Sequence, residues 1–210
     1  MKTKKVNQIL REVLPLINHK NLGKHCGVDE VGRGAWSGPV VAAAVRLRSF
    51  VNIEGLADSK TISFALRVKL YHQIIENSAV GISFVSSSIV DSENILQASL
   101  LAMETAARKI LHYDDKVFFD GNIIPDSFRS SPNAFAVVKG DQKIANIAAA
   151  SIVAKVSRDF FMNSLNLSHP GYGWAKNAGY GVPSHLLGIN KLGVNTHHRR
   201  TFKPIHNMLC

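Results

Sequence analysis

Four acids in this 210-residue chain stand where chemistry would need them. Asp29 and Glu30 are adjacent, between Val28 and Val31, an apolar setting in which an unpaired carboxylate is costly to bury and tends to stay protonated. Asp120 closes the β-prone run that starts at Lys116, and Asp141 follows a second such run, residues 134 to 138. An acid at the end of a buried strand in an α/β sheet points to the region where such sheets bind ligands. Gathered on one sheet edge, acids from three separate strand ends repel one another and raise each other's pKa values. Two divalent cations about 4 Å apart would offset that repulsion. Oxygen-only ligation suits Mg²⁺ or Mn²⁺ and not zinc, and neither the two cysteines, Cys26 and Cys210, nor the nine histidines show zinc-site spacing. Taken singly, the acids also have plainer explanations, a solvated pair on a hairpin for Asp29 and Glu30, and a turn dipeptide for Asp120-Gly121.

The element that would position the first pair runs from Gly27 to Val45. Gly32, Gly34 and Gly38 free the backbone to turn and to approach a ligand, with Arg33 held between two of them, a loop suited to a phosphate or a sugar. Residues 40 to 45 form a continuous apolar run, the pattern of a strand buried on both faces, so the loop joins two core strands. The glycine spacing is not G-x-G-x-x-G and a strand follows, which excludes a dinucleotide loop; no G-x-x-x-x-G-K-[ST] is present either.

Along the chain the pattern predicts a short helix over 1–18, a turn near Asn21-Leu22-Gly23, and strands over 25–31 and 39–47. Asp58-Ser59-Lys60 forms a loop ahead of a helix capped by Ser63 and carrying Phe64, Val68, Tyr71 and Ile75. A strand over 80–86 follows, then a helix from Asp91 with Leu96, Leu100, Met103, Ala107 and Ile110 on its core face. The helix beginning near Ile144 carries Ala145, Ala148, Ala149, Ala150, Ser151 and Ala154, small enough for close approach to a sheet. Its later Lys155 and Arg158 either face nucleic acid or pair with Asp159, and the i, i+4 spacing of Lys155 and Asp159 favours that pair.

The charge is +10, from 25 Lys and Arg against 15 Asp and Glu, and after residue 138 the only acids are Asp141 and Asp159. A basic C-terminal third implies a polyanion partner, nucleic acid ahead of membrane because no basic amphipathic helix stands out. Within it, residues 172 to 185 are dense in glycine and aromatic rings, a composition that lets a tyrosine stack on a base or sugar. The weakly polar runs over 34–45 and 144–154 are too short to span a bilayer, and no signal-peptide core follows the basic N-terminus. The expectation is one soluble, cytoplasmic domain over 1–210, with a helical, basic part from about 142 to 210.

Asp29-Glu30-Val31-Gly32-Arg33-Gly34, with Ser37-Gly38-Pro39 behind it, resembles the signature of bacterial ribonuclease HII. Lys139-Gly140-Asp141 through Asp159, the element Gly179-Tyr180-Gly181 and the closing His198-Arg199-Arg200-Thr201-Phe202-Lys203-Pro204 extend the resemblance over residues 25 to 204. Two departures are Ala178, where the family often has lysine, and Val182, where it has threonine. The resemblance implies an α/β ribonuclease H-like fold, a central mixed β-sheet flanked by helices with a helical C-terminal part. It implies a metal-dependent endoribonuclease, with Mg²⁺ or Mn²⁺, that cleaves the RNA strand of RNA–DNA hybrids. Cleavage would also fall 5′ of single ribonucleotides in duplex DNA, leaving 5′-phosphate and 3′-hydroxyl ends, a role in ribonucleotide removal during DNA replication and repair by a monomer.

By the same resemblance Asp29, Glu30 and Asp120 bind metal, and Asp141 is a fourth ligand or positions water. Gly32, Arg33 and Gly34 probe the ribose 2′-hydroxyl, Lys60 lies by the substrate backbone, and Tyr180 packs near the RNA–DNA junction. One difficulty is geometric: neighbours on a regular strand point to opposite faces, so Asp29 and Glu30 share one site only through a bend, or through the Glu30 carbonyl. A ribonuclease HIII-type or junction-resolvase-like nuclease of the same fold, and a non-catalytic nucleic-acid binding module, are the alternatives.

Overall fold

The apolar run beginning at Val40 forms β2 (Val40–Leu47), whose residues from Val40 to Val45 have no exposed surface. The computed structural model describes residues 24–48, 56 and 62–210. The expected N-terminal helix, the turn near Asn21 and the loop carrying Lys60 lie outside the described residues. β2 pairs antiparallel with β1 (His25–Val31) on one side and with β3 (Ser78–Val85) on the other. On its far side β1 pairs parallel with β4 (Lys116–Asp120), and β4 pairs parallel with β5 (Ala134–Val137). The sheet is therefore mixed, in the order β3-β2-β1-β4-β5.

Alternation along β2 divides the core. Val40, Ala42 and Ala44 join Cys26 and Val28 of β1 and Val117 and Phe119 of β4 beneath α2 (Ser87–Arg108). Ala43, Val45 and Leu47 face the opposite way, against α1 (Phe64–Asn77) and the alanine-rich α3 (Ala145–Ser168). Each fully buried valine contributes about 1.5–3 kcal/mol of transfer free energy. The small residues of α3 have the expected effect: a Cβ added at Gly27 of β1 would lie 2.2 Å from the Ile147 backbone nitrogen, so helix and strand touch backbone to backbone. Ser63 caps α1 by accepting from the Leu66 N–H at 3.3 Å.

The long helix departs from expectation. α2 starts at Ser87, not Asp91, because the Ser86 hydroxyl accepts from the Ile89 N–H. A break follows at Asn94 (φ 68°), whose side chain recaps the chain by accepting from the N–H groups of Leu96 and Gln97. Leu100, Met103 and Ala107 are buried as expected, whereas Ile110 lies beyond the helix end and packs partly against the core. After α3 come α4 (Trp174–Asn177), α5 (Pro183–Leu192) and α6 (Lys203–Leu209), which stack on the end of α3 around Met162, Leu165, Tyr172, Trp174, Ile189 and Ile205. Among the described residues no helix is long and apolar enough to cross a membrane.

Candidate active site

The ladder between β1 and β4 stops at Val28 and Phe119, so both strands run on past their last pair. Asp29 and Glu30 occupy the unpaired side of β1, and Asp120 is the last residue of β4. Gly27 touches α3 and Val28 faces α2, so the two-residue alternation puts Asp29 on the α3 side of the sheet. Glu30 belongs by alternation to the other side, yet at this strand end it lines the same cavity. The cavity, of about 560 Å³, is lined by Asp29, Glu30, Asp120 and Asp141 together with Gly32, Arg33, Gly34 and Tyr180. β1 stays paired with β2 through Val31, so the adjacent pair shares the cavity at the strand end, where the β4 ladder has stopped and the chain turns at Gly32 (φ 93°). Asp141 comes from a short 3₁₀ turn, Gly140–Gln142, not from the strand end itself.

Hydrogen bonds anchor three of the acids. Asp29 Oδ1 accepts from the Glu30 N–H at 2.8 Å, Asp120 Oδ1 from the Gly140 N–H at 2.6 Å, and Glu30 Oε1 faces the Arg33 guanidinium at 3.3 Å. The Asp120 bond ties the Asp141 turn to the end of β4. Burial, with the charges of Glu30 and then Asp120 adding to it, raises the Asp29 carboxyl well above the ordinary carboxylate range, against bonds from Ser151 and the Glu30 N–H. Burial also raises Glu30; Arg33 opposes this and Asp120 adds to it. Clustered acids of which Asp29 and Glu30 are raised chiefly by burial, with oxygen donors alone, fit a hard divalent cation. Among the described residues, no three Asp, Glu, His or Cys side chains already stand arranged to hold an ion, so the acids surround a cavity and do not form a closed cage.

Cations and small donors complete the wall. Arg33 is exposed, with half its side-chain surface accessible. Arg67 from α1 and Ser151 and Lys155 from α3 also line the cavity, and sequence reasoning did not single out Arg67 or Ser151 for it. Arg67 reaches the site only because α1 packs beside α3, and no local motif marks that contact. The Arg67 guanidinium donates to the Ile62 carbonyl at 3.0 Å, and Lys155 pairs with Asp159 at 2.7 Å as its spacing suggested. Tyr180 is half-buried, its ring 5.5 Å from the Arg158 guanidinium carbon.

Arg158 departs from both expectations set for it. It has no exposed surface, faces no solvent and is not paired with Asp159; its guanidinium donates instead to three backbone carbonyls. Tyr172 and Trp174 are buried and stack on each other at 4.7 Å, so of the ring-rich segment only Tyr180 reaches the cavity. Lys60 lies outside the described residues.

The sequence profile of the ribonuclease HII family matches residues 26–205. A curated ribonuclease HII from Ruegeria pomeroyi is 50% identical over 183 residues, covering 87% of this chain and 77% of that protein. Among solved structures, ribonuclease H2 from Pyrococcus horikoshii superposes with a TM-score of 0.73 at 24% identity, over 88% of this chain and 96% of that one. Bst-RNase HIII in complex with Mn²⁺ superposes with a TM-score of 0.72 at 17% identity, over 93% of this chain and 73% of that one. A mixed five-stranded sheet with helices on both faces defines an α/β fold of the ribonuclease H type. The chain belongs to the ribonuclease HII family. It is accordingly an endoribonuclease, a hydrolase acting on the RNA of RNA–DNA hybrids, and the reading as a non-catalytic binding module is set aside.

Proposed function

We propose that this single-domain, monomeric chain removes ribonucleotides from DNA, cutting duplex DNA on the 5′ side of a lone ribonucleotide as well as the RNA strand of longer hybrids. The observation that carries the reading is the convergence of Asp29, Glu30, Asp120 and Asp141 on one cavity that also contains Gly32, Arg33, Gly34 and Tyr180. Asp29, Glu30 and Asp120 would hold the metal, Mg²⁺ or Mn²⁺, as two ions during catalysis; Asp141 is a fourth ligand or orients the attacking water. When bound, two such ions supply an activated water nucleophile and neutralise charge on the leaving 3′ oxygen. The Mn²⁺ complex of the ribonuclease HIII neighbour supports the choice of ion.

The chain's own residues bind and orient. The exposed Arg33 and the half-buried Arg67 and Lys155 present positive charge to the phosphates on either side of the scissile bond. The backbone of Gly32 and Gly34 approaches the sugar and reads the 2′-hydroxyl, the group that separates RNA from DNA at one nucleotide. Tyr180 packs against the sugar at the RNA–DNA junction, with Arg158 behind its ring. Lys60 is assigned to the substrate backbone on the family resemblance alone. In the cell this places the enzyme in the cytoplasm, with DNA replication and repair.

The test is cleavage of an end-labelled DNA duplex carrying one ribonucleotide, in Mg²⁺, in Mn²⁺ and in chelator, beside an all-DNA duplex. The expected result is a metal-dependent cut 5′ of the ribonucleotide that leaves a 3′-hydroxyl. Cleavage of a continuous hybrid without cleavage at the lone ribonucleotide would favour a ribonuclease HIII-type specificity instead.

A further inference from the structure

Two arginines, Arg158 of α3 and Arg199 of the closing segment, have no exposed surface at all. Burial of a charge is expensive unless it is paired or fully hydrogen-bonded. Among the described residues neither makes an ion pair. Both spend their donors on backbone carbonyls, in one small region of the chain. Arg158 donates from Nε to Pro39 at 2.9 Å, from Nη2 to Ser37 at 3.1 Å and from Nη1 to Ala178 at 2.8 Å. Arg199 donates from Nη1 to Arg33 at 2.8 Å and from both Nε and Nη2 to Gly38, at 3.2 and 3.0 Å.

The carbonyls they hold belong to the two loops that face the substrate in the proposed function. Those of Arg33, Ser37, Gly38 and Pro39 lie in the loop that starts with Gly32, and that of Ala178 lies two residues before Tyr180. The loops also meet directly: the N–H groups of Trp36 and Ser37 donate to the Gly179 carbonyl at 2.8 and 3.2 Å. A Cβ at Gly32 would lie 2.3 Å from Arg158 Nε, and one at Gly179 would lie 2.5 Å from the Ser37 carbonyl, so arginine and loops are in full contact. Ala178 keeps a left-handed backbone (φ 48°), a conformation costly for a residue with a Cβ, while its carbonyl is bound by Arg158.

We propose that Arg158 and Arg199 are positioning residues for ribose recognition, a two-arginine clamp in which Arg158 locks the Gly32–Pro39 loop to the Tyr180 loop and Arg199 holds the two ends of the first loop to the closing segment, so that both loops meet one ribonucleotide as a rigid unit. The proposal rests on the assignment of these loops to the sugar. A planar fork with donors in fixed directions can bind carbonyls of different segments at once; a lysine keeps the charge but not that geometry. Recognition of a single hydroxyl depends on placement to within about an ångström.

The experiment compares the wild-type chain with Arg158→Lys, Arg199→Lys and Gly179→Ala, the last opening the seam with both arginines intact should a buried lysine prevent folding. Two readouts are taken in chelator: amide hydrogen exchange over residues 32–38 and 178–181, and the affinity for a DNA duplex with one ribonucleotide relative to an all-DNA duplex. Arg158→Lys and Gly179→Ala are expected to exchange faster in both segments and Arg199→Lys over residues 32–38, with the sheet still protected. Their ribonucleotide preference should fall by about tenfold, the equivalent of one hydrogen bond, while affinity for the all-DNA duplex stays within about twofold. Unchanged exchange, or an equal fall in both affinities, would overturn the clamp. A wild-type chain that shows no ribonucleotide preference would overturn the assignment of the loops to the sugar, whereas a wild-type preference that survives in every variant would overturn the clamp alone.

Discussion

Asp29 is the residue at which burial and charge conflict most sharply. Its carboxyl is raised by burial first and by Glu30 and Asp120 next, so the metal-free site is an electrostatic liability that a divalent ion relieves. Addition of Mg²⁺ or Mn²⁺ should therefore raise the thermal unfolding midpoint, by about 2.7 kcal/mol of stabilisation at a hundred times the dissociation constant. In Asp29→Asn and Asp120→Asn that metal-induced rise should shrink, turnover should fall by at least about a hundredfold, and circular dichroism should report an unchanged fold. A normal rate in either variant would remove that residue from the chemistry. Tyr180 is assigned a different kind of contribution in the proposed function, through its ring. Tyr180→Ala is expected to lose more rate on a single-ribonucleotide duplex than on a continuous hybrid, and kcat/KM for the two substrates measures it directly; equal losses would reduce Tyr180 to packing.

At the scale of elements, the closing segment is tied to α4 and α5 by neutral histidines. His185 Nδ1–H donates to the Tyr180 carbonyl at 3.0 Å, and its Nε2 accepts from the Trp174 indole N–H at 3.0 Å. His198 Nε2 lies 3.3 Å from His185 Nε2, and its Nδ1 lies 3.1 Å from the Asn195 N–H and 2.9 Å from Asn195 Oδ1. Burial and the neighbouring His185 bring His198 down to about 4 from 6.5, and burial lowers His185. Because the folded value lies below the unfolded one, this stabilisation is fully present above pH 6.5 and is lost as the pH falls toward 4. The unfolding midpoint of His198→Gln should accordingly fall less between pH 7 and pH 4 than that of the wild type. Parallel curves would show that these histidines remain neutral in the unfolded chain's range for another reason, or that the pair is not coupled to folding.

Across the whole molecule, positive charge gathers on the C-terminal part while the acids of the candidate site cluster near the parting of β1 and β4. An acid cluster repels a polyanion at short range, so the surrounding arginines and lysines must bring the duplex in and the metal must neutralise the centre. Binding of an RNA–DNA hybrid should weaken steeply with salt, with log K falling linearly in log salt at a slope of about 0.9 per phosphate contact on a duplex. Arg67→Ala, measured by fluorescence anisotropy across a salt series, should reduce that slope by about one contact; an unchanged slope would place Arg67 away from the phosphates.

The strands, the capped helix at Ser63, the alanine-rich α3 and the four acids were all legible in order along the chain, because strand alternation, capping and helical spacing are local properties. The mixed sheet and its helical C-terminal part followed from the family resemblance, and the strand order bears them out. Other features depended on which segments meet. The break at Asn94 was hidden because a side chain recapping its own helix leaves the apolar spacing almost intact. Arg158 looked like a surface cation, and only the fold revealed that the carbonyls of two distant loops lie around it. Arg67 carried no motif and entered the cavity through helix packing alone. The chain by itself determined which side chains could do chemistry and the family they belong to, since residue types and short spacings carry that information. The tertiary structure decided how Asp29 and Glu30 share a cavity, where the β1–β4 ladder stops, and which buried charges hold the loops, since each depends on contacts between residues far apart in sequence.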